Sequence, residues 1–146
     1  MKKKLHRRDF VKTTAAASAA FTIIPRNVLG KGFIAPSDKI NIAYIGCGTQ
    51  GLREMCELIT KPEIQITSVC DPNKMSTDYL DWSPNGIRDG IRKVLENPNW
   101  GANYSGIPGG RDIAKELIDT YYSKKNAAGY KACTSYIDFR DLFEKE

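Results

Sequence analysis

The sequence predicts an α/β fold built on a parallel β-sheet, because three apolar, strand-like runs alternate with helical patterns. Strands are expected at 39–45, 64–70 and 131–136, and a helix at 50–60 joins the first two. Chains in which strands and helices alternate usually form βαβ units, whose crossover helices place successive strands side by side and parallel. We therefore expect a small parallel sheet covered by helices.

Hydrophobic spacing predicts the first strand, helix and second strand. The run 39–45 is rich in β-branched residues and ends at a glycine, and the run 64–70 is again apolar. Between them, apolar residues recur at the i, i+3, i+4 and i+7 spacing of one helix face, and Pro62 ends this pattern. The predicted inner face of the helix consists of Leu52, Met55, Cys56 and Ile59.

A glycine-rich motif joins the first strand to the helix. Residues 46–51 read Gly-Cys-Gly-Thr-Gln-Gly, a G-x-G-x-x-G pattern. In dinucleotide-binding βαβ units, Gly46 would allow the tight turn, Gly48 would let the backbone approach a pyrophosphate, and Gly51 would let helix and strand pack closely. The positive end of the helix dipole attracts the same pyrophosphate. The motif therefore predicts a binding site for a nicotinamide dinucleotide.

Asp71, which follows the second strand, indicates which dinucleotide to expect. Its carboxylate can accept hydrogen bonds from the adenosine ribose hydroxyls, and its negative charge would repel a 2′-phosphate. NAD is therefore favoured over NADP. The alternative is a glycine turn in an α/β protein that binds no nucleotide.

Residues 1–30 are predicted to be an export leader. The run Arg7-Arg8-Asp9-Phe10-Val11-Lys12 resembles the twin-arginine signal R-R-x-F-[L/V]-K, although His6 stands where Ser or Thr is usual. The apolar stretch 13–24 is too short to span the roughly 30 Å of hydrocarbon as a helix, so no stable membrane anchor is expected. We expect export to the periplasm by the twin-arginine translocon. A disordered or amphipathic basic tail is the alternative.

Outside the leader, charge and residue types exclude two kinds of site. The net charge of +5 comes from the leader, because residues 32–146 hold 14 of the 22 basic and 16 of the 17 acidic residues. No basic stripe remains to neutralise phosphates, so nucleic acid is not an expected partner. The single histidine is His6, and the four cysteines form no C-x-x-C pair, so no metal site is expected. Cys47 and Cys70 are interpreted as small buried thiols.

An insertion at about 72–110 separates the second strand from the next crossover helix. A helix is expected to start at Ser83-Pro84, and the crossover helix is expected at 111–122 with Tyr121 facing inward. Four aromatic residues in the insertion could cover an adenine or a sugar, but a structural role is favoured. Asp78 and Asp81 are interpreted as solvated turn residues rather than metal ligands, and Arg111 as a solvated helix start rather than a phosphate ligand. The four aromatic residues are Tyr79, Trp82, Trp100 and Tyr104.

Two motifs resemble the Gfo/Idh/MocA family of oxidoreductases. The first is Ile45–Gly51 followed by Cys70-Asp71, which matches the family's I-G-x-G-x-x-G and C-D. The second is the run 136–143, which matches Y-x-D-[FY]-R-[ED]-[LM]-[LF] and would make Asp138 a helix N-cap. The resemblance implies a Rossmann-like, doubly wound domain in which Thr49 and Gln50 contact the pyrophosphate and Asp71 contacts the ribose.

The resemblance also implies a reaction, hydride transfer between NAD and a sugar or polyol-like substrate. The family's catalytic lysine lies in a Glu-Lys-Pro motif that this sequence lacks, so no catalytic residue is assigned. We expect residues 31–146 to form an incomplete domain, ending after the third strand and its following helix and inactive alone. The strand order 3-2-1-4 would then leave the first strand as an unpaired apolar edge.

Two alternatives to the oxidoreductase stay open. The same family includes NAD-dependent glycosidases, which would form no net NADH on a free sugar. The chain could also be a non-catalytic nucleotide-binding module or a gene fragment. The sequence does not fix the oligomeric state, and a homo-oligomer is compatible with it.

Overall fold

The computed structural model describes residue 34 and residues 36–83, 85–127 and 129–146. The predicted leader and Pro84, at the predicted start of the insertion helix, lie outside these residues. Ile34–Glu146 form one structural unit. No helix in the described ranges is long and apolar enough to cross a membrane.

The described residues fold into a parallel sheet with helices, so the predicted α/β class is confirmed. The sheet has three strands in the order β1-β2-β3, and both strand pairs are parallel. A short 3-10 turn at Pro36–Asp38 precedes the first strand. The bounds are β1 Ile40–Ile45, α1 Thr49–Leu58, β2 Ile64–Cys70, α2 Gly86–Leu95, α3 Arg111–Lys124, β3 Thr134–Tyr136 and α4 Phe139–Lys145.

The register of β1 and β2 brings their carboxyl ends together. Ile45 pairs with Cys70 at the last position, and the next residue, Gly46, donates its N–H to the Cys70 carbonyl at 2.8 Å. One extra residue in β2, Thr67, forms a bulge, since Ile42 pairs with Ile66 but the next pair is Ala43 and Ser68. The turns that follow the two strands therefore leave the sheet at the same edge.

Helices cover both faces of the sheet. On one face, Val69 of β2 belongs to a core that also contains side chains of α1, α2 and α3. On the other face, the next side chain back, Ser68, donates its hydroxyl to Glu146, which directly follows α4. Because consecutive strand residues point to opposite faces, α4 lies across the sheet from the other three helices. The fully buried core side chains include Leu52, Met55, Ile66, Ile91, Leu117 and Ile118.

The crossover helix differs from its prediction in two details. It ends at Lys124 rather than Tyr122, and the more deeply buried of its two tyrosines is Tyr122, which is 4% exposed. Tyr121 packs against the core as predicted but is only partly buried. The Tyr122 hydroxyl accepts the Ile66 N–H at 3.0 Å, a polar contact that hydrophobic spacing does not encode.

The first strand forms one edge of the sheet. In the order β1-β2-β3, β1 pairs only with β2 within the part of the chain that the structure describes. Its two end residues, Ile40 and Ile45, are 60% and 51% exposed. An apolar edge strand of this kind offers unpaired backbone groups and side chains to another chain.

Candidate functional site

The glycine-rich turn lies at the carboxyl end of β1 and is shaped by two of its glycines. Gly46 has φ +94°, a left-handed conformation that side-chain-bearing residues rarely adopt. A Cβ at Gly51 would lie 2.0 Å from the Gly46 carbonyl oxygen, so only glycine allows the first turn of α1 to pack against the loop. The two ends of the motif therefore perform the local tasks that the sequence assigns to them.

The first turn of α1 carries the other predicted contacts. Gly48 is the N-cap residue of α1, and it has no side chain that could accept a hydrogen bond from the N–H groups of the first turn. Thr49 and Gln50 are the first two helical residues, and Gln50 donates its side-chain amide to Glu54 at 3.0 Å. The backbone N–H groups of such a turn point out of the helix end and favour an anion.

Asp71 directly follows β2, and its side chain reaches the glycine-rich turn. The residue is 8% exposed. Its Oδ2 accepts the Cys47 N–H at 2.6 Å, and its Oδ1 accepts the Asn73 N–H at 2.7 Å. All six predicted site residues therefore lie around one edge of the sheet, and Asp71 is fixed to the turn by a backbone hydrogen bond.

The insertion also contacts this turn. A Cβ at Gly48 would meet the Tyr79 ring at 3.2 Å, so the space that this glycine leaves open is filled by an aromatic side chain. The Tyr79 hydroxyl accepts a hydrogen bond from the Asn73 side chain at 2.9 Å, and burial raises the pKa of Tyr79. The Thr49 hydroxyl donates to the Leu80 carbonyl at 2.8 Å. No local sequence pattern indicates these contacts, because 31 residues separate Thr49 from Leu80.

Asp81 fastens the insertion to α1 and α2. Its side chain is 1% exposed and forms an ion pair with Arg53. It also accepts the N–H groups of Trp82 at 2.7 Å and Ile87 at 2.9 Å, and so stabilises the first turn of α2. The interpretation of Asp81 as a solvated turn residue is therefore wrong, whereas Asp78 is exposed as expected.

The remaining aromatic residues of the insertion divide into two groups. Trp100 is 5% exposed, donates its indole N–H to Glu116 at 3.0 Å and packs edge-on against Tyr104 at 5.9 Å. This pair has the structural role that the sequence favours. Trp82 is 86% exposed, and the Arg53 guanidinium lies 4.9 Å from its ring centre.

Arg111 is not the solvated helix start that the sequence favours. Its guanidinium donates to the carbonyl oxygens of Asp71 and Pro72, both at 3.1 Å. It therefore holds the chain just after β2 rather than extending into solvent. Since both acceptors belong to the turn that follows Asp71, Arg111 supports the same edge of the sheet from the side of α3.

The four cysteines are buried and free. Burial, and then the nearby Asp71, raise the pKa of Cys47 to about 12. A thiol in this state is a poor nucleophile and a poor metal ligand. Within the described ranges, no group of three or more His, Cys, Asp or Glu side chains is placed to hold a metal ion.

Comparison of the chain with protein-family models, with curated proteins and with solved structures gave no match. The chemistry of the site therefore has to be inferred from its own geometry. That geometry is a glycine turn, an uncapped helix N-terminus and a carboxylate at the end of the neighbouring parallel strand.

Proposed function

We propose that this chain binds NAD at the glycine-rich turn, as the first part of a Rossmann-like domain. The observation that carries the proposal is the meeting of four features at one sheet edge. These are the turn at 46–51, the N-terminus of α1, the parallel neighbour β2 and the Asp71 carboxylate. Each is a feature by which βαβ units hold the adenosine half of a dinucleotide.

The residues present fit such a cofactor. The pyrophosphate would lie at the first turn of α1, where Gly48, Thr49 and Gln50 offer backbone N–H groups at the positive end of the helix dipole. Asp71 would accept from the adenosine ribose, since each carboxylate oxygen can accept a second hydrogen bond in addition to the backbone N–H it already holds. Its charge disfavours the 2′-phosphate of NADP. Bound NAD would supply a hydride acceptor.

The whole-protein activity that we propose is oxidation of a sugar or polyol-like substrate, of the Gfo/Idh/MocA type. Its support is the resemblance of the motifs at 45–51, 70–71 and 136–143. The Asp138 carboxylate accepts the Arg140 N–H at 2.9 Å, so the motif at 136–143 starts α4 as the resemblance implies. Export by the twin-arginine pathway rests on the run Arg7–Lys12 alone. No residue is assigned to the chemical step.

Titration of the full chain with NAD, NADP and ADP-ribose, followed by isothermal calorimetry, tests the binding proposal. We expect NAD and ADP-ribose to bind and NADP to bind at least about tenfold more weakly. Gly48→Ala is expected to weaken NAD binding by about tenfold, because its methyl group crowds the pyrophosphate position.

The matched control is Gly90→Ala, at a helix position where a Cβ meets nothing within 4 Å. It should leave the affinity for NAD unchanged. A folded wild-type chain that binds neither NAD nor ADP-ribose at millimolar concentration would exclude the proposed function.

A further inference from the structure

Two consecutive residues of the insertion contact two of the residues that are proposed to bind the pyrophosphate. The Tyr79 ring fills the space beside Gly48, and the Leu80 carbonyl accepts the Thr49 hydroxyl at 2.8 Å. These are independent contacts, one made by a side chain and the other by the backbone. The pair Tyr79-Leu80 is called the covering segment below.

The covering segment and a pyrophosphate compete for the same space. The second glycine of the motif serves to let the backbone approach the pyrophosphate, so the anion needs the open side of Gly48. In this structure an atom of the Tyr79 ring lies 3.2 Å from the position of a Cβ on that side. We propose that the covering segment closes the pyrophosphate site of the free chain and must be displaced when a dinucleotide binds. This inference rests on the proposed function.

The contacts of the covering segment suit a displaceable element. Tyr79 is held by one hydrogen bond from the Asn73 side chain at 2.9 Å and by packing against Gly48 and Gly109. Leu80 is 88% exposed, so its side chain contributes little burial. Release therefore breaks two hydrogen bonds and the contacts of the ring with Gly48 and Gly109, and water or the incoming phosphate can replace the lost hydrogen-bond partners.

Firm contacts on both sides limit the movement to these two residues. Before the segment, Asp78 forms a backbone bridge with Ile107, and Ser76 exchanges two backbone hydrogen bonds with Gly109, both at 3.0 Å. After it, Asp81 is buried and ion-paired with Arg53. We therefore expect a local rearrangement, in which Tyr79 and Leu80 move away from Gly48 and Thr49 while the rest of the insertion stays in place.

A closed site lowers the apparent affinity for a ligand, since only the open fraction of the molecules binds. Variants that weaken the closed state should thus bind NAD more tightly. Tyr79→Phe removes only the hydrogen bond to Asn73 and should raise the affinity by about two- to tenfold. Tyr79→Ala also frees Gly48 and should raise it further. Tyr104→Phe, a tyrosine elsewhere in the insertion, is the control and should change nothing.

Calorimetry with NAD on the full chain separates the outcomes. Tighter binding by both Tyr79 variants supports the covering segment. Equal or weaker binding by Tyr79→Phe, with NAD still bound by the wild type, overturns it and leaves the proposed function standing. If the wild type and all the folded variants fail to bind NAD, the proposed function fails and the covering segment fails with it.

A second measurement observes the displacement directly and does not depend on a variant that folds. Nuclear Overhauser contacts between the Tyr79 ring and the Gly48 α-protons should be present in the free chain and disappear when NAD is added. If these contacts persist in the NAD complex, Tyr79 is a fixed wall of the site and the inference is wrong.

Discussion

The Asp71 carboxylate accepts the backbone N–H of Cys47 at 2.6 Å, although 24 residues separate the two along the chain. This hydrogen bond joins the end of β2 to the glycine-rich turn that follows β1. A charged acceptor strengthens such a bond, and at 8% exposure little water competes for Asp71. The turn therefore takes its conformation partly from the neighbouring strand.

Asp71→Asn should destabilise the fold as well as change the affinity for NAD. The amide keeps one oxygen but presents an NH₂ group to one of two backbone donors, Cys47 N–H or Asn73 N–H. We expect the free energy of unfolding to fall by about 1–3 kcal/mol, measured by urea denaturation. Asp89→Asn, at an exposed side chain paired with Arg92, is the control and should stay within about 0.5 kcal/mol. Equal effects of the two changes would contradict the role of Asp71.

Gly51→Ala should be among the most damaging small substitutions in the chain. Its methyl group would lie 2.0 Å from the Gly46 carbonyl oxygen, and neither backbone segment can move without disturbing β1 or α1. We expect a loss of about 3 kcal/mol or more in unfolding free energy. Gly90→Ala makes the same chemical change in the middle of α2, where nothing lies within 4 Å, and should stabilise the chain by about 0.5–1 kcal/mol. A similar stability for the two variants would show that the close approach is absent.

Arg53→Met should destabilise the insertion strongly because it leaves the Asp81 carboxylate buried without its charged partner. The Asp81 side chain is 1% exposed, whereas that of Arg53 is 31% exposed. We expect the free energy of unfolding to fall by about 3 kcal/mol. This is the low end of the range for buried ion pairs, since the Arg53 side chain is partly exposed to solvent. Lys125→Met breaks the exposed pair with Glu96 and should change the stability by less than about 1 kcal/mol. Thermal denaturation compares the stability of the two variants. If Arg53→Met leaves the stability unchanged, the ion pair with Asp81 does not stabilise the fold.

The thiols should be inert in the native chain. Burial raises the pKa of Cys47, Cys56 and Cys133 to about 12 in each case, and Cys70 is 1% exposed. At pH 8, a disulfide reagent such as Ellman's reagent should therefore modify less than one thiol per chain within minutes, and all four after unfolding in guanidinium. Rapid modification of one thiol in the folded chain would contradict this burial.

Hydrophobic spacing was sufficient to predict the helices and strands whose own sequences show a clear periodicity. The second strand occupies Ile64–Cys70 as predicted. The four apolar residues expected on the inner face of the first helix are all buried, although the last of them, Ile59, directly follows α1. The third strand is shorter than predicted, because only Thr134–Tyr136 pair with β2. The preceding Cys133 N–H instead donates to Asp119 of α3 at 2.8 Å. A tertiary contact thus replaced the strand pairing that propensity alone favoured.

The glycines and the aspartate of the candidate site were predictable from the sequence. The insertion residues that lie against them were not. Spacing places Gly46, Gly51 and Asp71 because each has a local backbone task next to a strand end. Nothing local marks Asp81 as buried, since its partner Arg53 lies 28 residues away. The same holds for the ring of Tyr79 beside Gly48. Contacts between an insertion and the body of a domain depend on how the loop folds back, which periodicity does not encode.

The fastening of the insertion also has a consequence for the order in which the chain folds. The three contacts Cys47–Asp71, Arg53–Asp81 and Thr49–Leu80 close loops of similar size, with separations of 24, 28 and 31 residues. These loops overlap along the chain, so the first contact to form leaves much shorter loops for the other two, and their closure costs little further entropy. We therefore expect the glycine-rich turn and the insertion to become ordered in a single kinetic step. The alternative, in which the insertion docks later onto a turn that is already ordered, is not expected.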